Sequence, residues 1–252
     1  MAEVLVTGAT GMLGSVLVPK LVDRGHNVHA LSRHPPADGP GLTGVAGDVL
    51  TGKGLATAAD GVDTVIHAAT SPRRRARRVE VEGTRHMLAA ARDAGAHFLY
   101  VSIVGVDRSA RFHYYRAKWA AEQLVAAHGG PWTILRATQF HPLMEMFLGF
   151  RVFPATKRMA FQPVDTGEVS DRLADLVEAG PSGRVDDFGG PEVLPIRDIE
   201  ATRRRITGRR ALLVRAPAIG PLRDFDAGRR LCPEHRQGRI TWESWLRTTA
   251  GA

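Results

Sequence analysis

Tyr114 and Lys118 stand four residues apart in the run His113-Tyr114-Tyr115-Arg116-Ala117-Lys118, a spacing that puts both side chains on one face of a helix. An ammonium beside a phenol favours the phenolate. The pair is therefore expected to lower a tyrosine pKa that starts at about 10, letting Tyr114 exchange a proton near neutral pH. Tyr115 is a neighbouring rival, but the spacing to Lys118 selects Tyr114. Twelve positions before Tyr114, Ser102 closes an apolar run, where its hydroxyl can give a second hydrogen bond to a carbonyl oxygen. Glu122, four after Lys118, offers that lysine a competing intrahelical partner. Metal chemistry is not expected. Cys232 is the single cysteine, too few for an internal disulfide, and no Cys or His cluster has metal-ligand spacing.

The elements that must position these groups are legible as alternating patterns. Val4-Leu5-Val6 runs into Thr7-Gly8-Ala9-Thr10-Gly11-Met12-Leu13-Gly14 and then into an amphipathic stretch. In that order Gly8 turns the chain off a strand, Gly11 lets backbone approach a pyrophosphate, Gly14 allows close helix packing, and the helix N-terminus faces the anion. Asn27 to Leu31, Asp63 to His67, Phe98 to Ser102 and Trp132 to Leu135 read as buried strands. Val79 to Ala94 sets Val79, Gly83, His86, Met87 and Ala90 at helical spacing, and Phe112 to Ala127 does so with Tyr115, Trp119, Leu124 and Val125. Pro19 is expected to kink the first helix.

Strands alternating with helices of this length predict an α/β fold: a doubly wound parallel sheet (Rossmann fold) with right-handed crossovers and a small C-terminal substrate-binding lobe. Ligands should meet the carboxyl ends of the strands, after residues 6, 31, 67, 102 and 136. We expect one domain over 1–252, with a dinucleotide-binding core at 1–140. Residues 141–252 would form the substrate region and C-terminal elements, returning to the sheet near 185–190. Residues 34–41 read as a loop, the chain beyond Gly189 as irregular, and Trp242 and Trp245 as core anchors of a terminal helix.

Cofactor contacts are expected from Gly8, Thr10, Gly11, Met12 and Leu13, and from Ala68, Ala69, Thr70 and Lys118. The second strand ends in Leu31-Ser32-Arg33-His34 without a carboxylate. A hydroxyl beside a guanidinium suits a 2′-phosphate, which favours NADP(H) over NAD. Asp48, with Val49 after it, is placed to accept from the adenine amino group, although an Asp in a Gly-containing turn is an ordinary alternative.

The formal charge of +8 comes almost wholly from arginine, since Lys20, Lys53, Lys118 and Lys157 are the only lysines. The arginines are scattered without a single stripe, so a nucleic-acid partner is not expected. The cluster Arg73-Arg74-Arg75 with Arg77-Arg78 follows a strand and could meet phosphate or an acidic substrate. No apolar run reaches membrane-spanning length and no leader is apparent. The expected setting is cytoplasmic, as a monomer or homodimer acting on a small molecule.

On these motifs the chain resembles the short-chain dehydrogenase/reductase superfamily over nearly all of residues 3 to 190. The spacing Thr7-Gly-x-x-Gly-x-x-Gly14 is most similar to the atypical, NmrA-like NAD(P)-binding group. Supporting runs are Val65-Ile66-His67-Ala68-Ala69-Thr70, Glu82-Gly83-Thr84, Val101-Ser102-Ile103-Val104-Gly105-Val106 and Ile134-Leu135-Arg136-Ala137-Thr138-Gln139-Phe140. The resemblance implies that Tyr114 is the general acid or base, that Lys118 holds the nicotinamide ribose and that Ser102 orients substrate. Many catalytic members carry an asparagine where this chain offers Glu82 and Ala68-Ala69-Thr70.

The segment from Gln139 through Phe153, rich in Met and Phe, reads as a substrate pocket or lid, or equally as a core-facing helix. Ile103, Gln139, His141 and Met144 are the expected substrate contacts. An NADPH-dependent reductase of a carbonyl, quinone or conjugated group is the leading expectation. A redox-sensing NADP(H)-binding regulator without turnover and a non-redox isomerase or cyclase are the alternatives.

Overall fold

The computed structural model describes residues 1–71, 77–109, 112–150 and 152–250. Arg73, Arg74 and Arg75 of the arginine cluster lie outside the described residues. The chain groups into two compact units. The first comprises Met1–Ser102, His113–Leu135 and Ser170–Val185, and the second Ile103–Phe112, Arg136–Val169 and Asp186–Ala252.

The first unit is built on β1 (Glu3–Thr7), β2 (Asn27–Ser32), β3 (Leu42–Ala46), β4 (Thr64–His67), β5 (His97–Ile103), β6 (Trp132–Ala137) and, much later, β9 (Gly183–Arg184). Among the described residues they form a mostly parallel sheet in the order β3-β2-β1-β4-β5-β6-β9. Its central strands are apolar on both faces, as a covered parallel sheet requires. Leu5, Val65, Phe98 and Tyr100 pack with Leu55 and Ala58 of α2 (Leu55–Ala59), Met87 and Leu88 of α3 (Thr84–Asp93), and Ala121 and Val125 of α4 (His113–Ala127). The alternate residues Val4, Val6, Ile66 and Leu99 are just as buried on the other face. Leu17 and Leu21 of α1 (Gly14–Asp23) are fully buried, and α1 is tied to α6 (Thr166–Ala179) by Lys20–Asp171 at 2.8 Å and Arg24–Asp175 at 2.6 Å.

The third helical stretch needs a correction. The helix read from Val79 onward opens with a π-helical segment, Arg78–Gly83, before α3 begins. Its wider turn carries Glu80, not Val79, to full burial. The first helix, for its part, continues through Pro19 to Asp23.

The second unit has its own apolar cluster, joining Met144 and Leu148 of α5 (His141–Gly149), Phe161 of β8 (Ala160–Phe161), Ile196 and Ile199 of α7 (Ile196–Thr207), and Trp242 and Leu246 of α9 (Trp242–Ala250). β7 (Val152–Ala155) pairs with β11 (Leu212–Arg215), and β10 (Leu194–Pro195) with β8; α8 is Pro221–Asp226. The chain past Gly189 is thus not irregular: α7 runs for 12 residues, its narrow apolar stripe hidden in the sequence among arginines. Trp242 is anchored as expected, its indole N–H donating to the Ile199 carbonyl at 3.0 Å. Among the described residues no helix is long and apolar enough to cross a membrane, and no group of three His, Cys, Asp or Glu could hold a metal.

Candidate cofactor and catalytic site

The glycine loop has the shape its sequence demands. Gly8 sits at φ +68°, and a Cβ there would lie 2.9 Å from the Ala69 backbone. Gly11 N–H closes the turn on the Gly8 carbonyl at 2.9 Å. A Cβ on Gly14 would run into Gly8 O and lie 2.7 Å from Ala9 Cα. What Gly14 spares is therefore the loop itself. Thr10, Gly11 and Met12 are exposed while Leu13 is buried, and α1 has no side-chain cap at its N-terminus. In this structure the Ser15 and Val16 N–H groups donate to the Gly11 and Leu13 carbonyls at 3.0 Å each, so a dinucleotide pyrophosphate would meet the exposed loop of Thr10, Gly11 and Met12 at the start of the helix, which this glycine cradle fits.

At the end of β2 the Ser32 hydroxyl lies 3.1 Å from Thr10 Oγ1 and accepts the His34 N–H at 3.3 Å, while Arg33 is exposed. Ser32 thereby joins the strand end to the glycine loop. Asp48 Oδ1 accepts the Leu50 N–H at 2.9 Å, the turn-closing use that the sequence offered as an alternative. Val49 is buried, and its carbonyl faces His86 Nδ1 at 2.9 Å.

Strand register then builds a buried polar row. Thr7 pairs with His67, and His67 with Tyr100, across β1, β4 and β5. The Thr7 oxygen accepts the Ala69 N–H at 3.1 Å and lies 2.8 Å from His67 Nδ1. Burial first, then the Lys118 charge, push His67 down to about 3, so the ring is neutral. It stacks on Tyr100 at 5.7 Å.

From α4 come Tyr114 and Lys118, both buried. The Tyr114 hydroxyl lies 2.7 Å from Thr70 Oγ1, and Thr70 donates to Glu80 Oε1 at 2.5 Å. That oxygen also accepts the Ser71 N–H at 3.0 Å. Glu80 Oε2 faces the Tyr100 hydroxyl at 3.4 Å and Lys118 Nζ at 3.3 Å. Lys118 completes its shell with the Val101 carbonyl at 2.8 Å and the Tyr100 ring 4.5 Å away. Two opposite charges out of water are sustained by this many contacts.

The Tyr114 phenol is shifted the opposite way from the sequence expectation. Burial and then the Glu80 charge hold it well above the usual tyrosine range. Lys118 is drawn to Glu80, and the ammonium does not dominate the phenol. Ser102 is buried, and its hydroxyl has no hydrogen-bond partner among the described residues. Such an orphan is costly unless a ligand oxygen meets it.

Of the remaining candidates, Ala68 and Ala69 are half-buried beside Gly8. The others lie in the second unit. Ile103 is half-buried. Gln139 spends its amide on the Arg230 carbonyl (3.2 Å) and the Gln162 N–H (3.1 Å). His141 is fully buried against Trp242 and Trp245, and Met144 belongs to the apolar cluster. Sequence reasoning missed Glu80, Thr7, His67 and Tyr100 as members of the polar row. The polar residues inside otherwise apolar strands were the available signal.

This sheet order, glycine cradle and buried tyrosine–lysine face define a dinucleotide-binding α/β protein with an oxidoreductase-like fold. The chain belongs to the NAD(P)H-binding family, whose model matches residues 8–144. It is 35% identical over 162 residues to a 3-beta-hydroxysteroid dehydrogenase of Mycolicibacterium neoaurum, covering 52% of this chain and 44% of that one. The match thus spans less than half of that relative. A (4-alkanoyl-5-oxo-2,5-dihydrofuran-3-yl)methyl phosphate reductase of Streptomyces griseus is 29% identical over 218 residues, 82% of this chain and 74% of its own. In fold, the chain is similar to an NADPH-dependent quinone oxidoreductase of Escherichia coli complexed with NADPH (TM-score 0.79, 18% identity, 98% and 99% of the two chains). It is also similar to MoeE5 in complex with UDP-glucose and NAD (TM-score 0.78, 21% identity, 99% and 97%).

Proposed function

We propose that the chain is an NADPH-dependent reductase of a carbonyl, quinone or conjugated group in a fairly apolar small molecule. The observation that carries this reading is the hydrogen-bonded run Tyr114–Thr70–Glu80–Lys118, buried except at Thr70, which leads from a phenol to a compensated charge. When bound, the reduced nicotinamide supplies a hydride. The glycine loop and the α1 N-terminus would hold its pyrophosphate, and Ser32 with Arg33 its 2′-phosphate. Lys118 would hold the ribose. Ser102 would orient the substrate oxygen, spending its unpartnered hydroxyl, while Tyr114 delivers a proton to the same atom as negative charge develops there. A phenol held above its usual range is a weaker acid than a free one, so its proton would leave only as negative charge builds on the substrate oxygen.

Names of relatives favour the reading: one is a reductase of an alkanoyl-oxo-dihydrofuran phosphate, and a fold neighbour is a quinone oxidoreductase. The test is NADPH consumption, followed by absorbance, with a panel of quinones, ketones and enones. Turnover of at least one, faster with NADPH than with NADH, is the expected result. Tight retention of NADPH without oxidation by any of them would favour a redox-sensing regulator instead.

A further inference from the structure

The parallel ribbon of β7 and β11 in the second unit departs from the pattern of a half-covered sheet. Its register pairs Leu212 with Val152, Leu213 with Phe153 and Val214 with Pro154. Phe153, Ala155 and Leu213 pack on the unit's apolar cluster, so the alternate residues Val152, Pro154, Leu212 and Val214 share the outer face. An outer face is ordinarily polar. Here it is wholly apolar, and Val152, Leu212 and Val214 are 56%, 53% and 44% exposed. Phe150, two residues before β7, is 65% exposed. A contiguous exposed apolar surface of this kind marks a contact site.

The chain that carries this face is basic. Residues 146–164 and 201–223, which contain the two strands, hold ten Lys and Arg and no Asp or Glu, so the charge they present outward is positive. Lys157, Arg210 and Arg215 are exposed and have no ion pair among the described residues. At the carboxyl end of the ribbon lies a cavity of about 710 Å³, lined by Thr156, Lys157, Arg158, Arg215 and Asp226 among others. Asp226 is spent on Arg158, accepting its N–H at 2.9 Å and its Nε–H at 3.3 Å, which leaves Lys157 and Arg215 for an outside anion. Cations beside an apolar face suit a surface that is itself both apolar and anionic, and a bilayer of acidic phospholipid is such a surface. A second copy of the chain fits less well, because a two-fold contact would set these cations against themselves.

We propose that the β7–β11 ribbon docks the protein reversibly on a membrane surface rich in anionic phospholipid. Phe150, Val152, Leu212 and Val214 enter the interfacial layer, while Lys157, Arg210 and Arg215 meet lipid phosphates. This contact needs no membrane-spanning helix, and it does not rest on the reductase reading. Each Lys or Arg held near an anionic leaflet strengthens attachment about fivefold, an effect that salt screens, and the buried apolar side chains add to it.

Cosedimentation with vesicles of mixed phosphatidylglycerol and phosphatidylcholine, compared with phosphatidylcholine alone, tests the proposal. The wild type should bind the anionic vesicles at least about tenfold more tightly, and be released as NaCl rises from about 0.1 to about 0.5 M. Leu212→Ser combined with Val214→Ser keeps every charge and should weaken binding about tenfold. Lys157→Gln, Arg210→Gln and Arg215→Gln together should weaken it about 100-fold, and carry the test should the serine pair fail to fold. Removing three exposed charges elsewhere, by Arg85→Gln, Arg92→Gln and Arg236→Gln, should cost less than about fivefold. No binding to the anionic vesicles, equal losses in the two triple variants, or full binding by a folded serine pair would overturn the proposal. Complete release by millimolar glycerol phosphate at constant ionic strength would assign the cations to a free phosphate instead. A wild-type dimer in sedimentation equilibrium that the serine pair dissociates would give the face to a second copy, which also overturns it.

Discussion

Lys118 and Glu80 form the most demanding contact of the site, because both charges are almost wholly removed from water. Removing one partner leaves the other uncompensated. Lys118→Met should lower unfolding stability by about 3 kcal/mol, measured by urea denaturation, even though methionine fills much of the same space. Histidines set the acid limit. Burial holds His67 at about 3 and His97 and His141 at about 4, below the unfolded value of about 6.5. Between those values the unfolded chain binds more protons than the folded one. Stability supplied by these neutral rings is therefore complete above pH ~6.5 and lost as pH falls toward 4. Urea midpoints taken at intervals across that window should decline, and a level response would contradict the assignment of three buried neutral rings.

At the scale of elements, the glycine loop offers the sharpest contrast. Gly14 has backbone on every side where a Cβ would grow, whereas Gly25, at φ +83°, has nothing within 4 Å. Gly14→Ala should weaken NADPH binding by more than about tenfold, read by fluorescence titration, because the loop must open to admit the methyl group. Gly25→Ala should leave binding unchanged and cost roughly 1 kcal/mol of stability from backbone conformation alone. That loop was fully legible in the sequence, as were the strands around Val4, Val65 and Leu99, whose burial on both faces writes itself as continuous apolar runs. The π-helical start of the third helical stretch was not. A period of 3.6 residues drew attention to Val79, and the resemblance to Glu82, but the wider turn buries Glu80. Likewise α7 was masked by Arg197, Arg203, Arg204 and Arg205, although Ile196 and Ile199 are core residues. Of the site, Tyr114, Lys118 and Ser102 could be read from spacing, while their polar partners depend on register between distant strands.

For the whole molecule, every residue of the polar row and of the glycine cradle belongs to the first compact unit, and the chain comes back to that unit at Ser170–Val185. Binding energy for a dinucleotide should therefore appear as global stability of that unit. A ligand at 100 times its Kd adds about 2.7 kcal/mol, provided the unfolded chain does not bind it. Thermal unfolding should shift upward more with NADPH than with equal NADH, and Arg33→Ala should erase the difference. Equal shifts for both cofactors would remove the argument from Ser32 and Arg33. The central claim, that this fold turns its cofactor over through Tyr114, is tested most directly by comparing wild type with Tyr114→Phe under saturating NADPH and a reducible quinone or enone. The account predicts a loss of about 10²-fold or more in kcat with the NADPH dissociation constant unchanged. Equal turnover by the two proteins would contradict it.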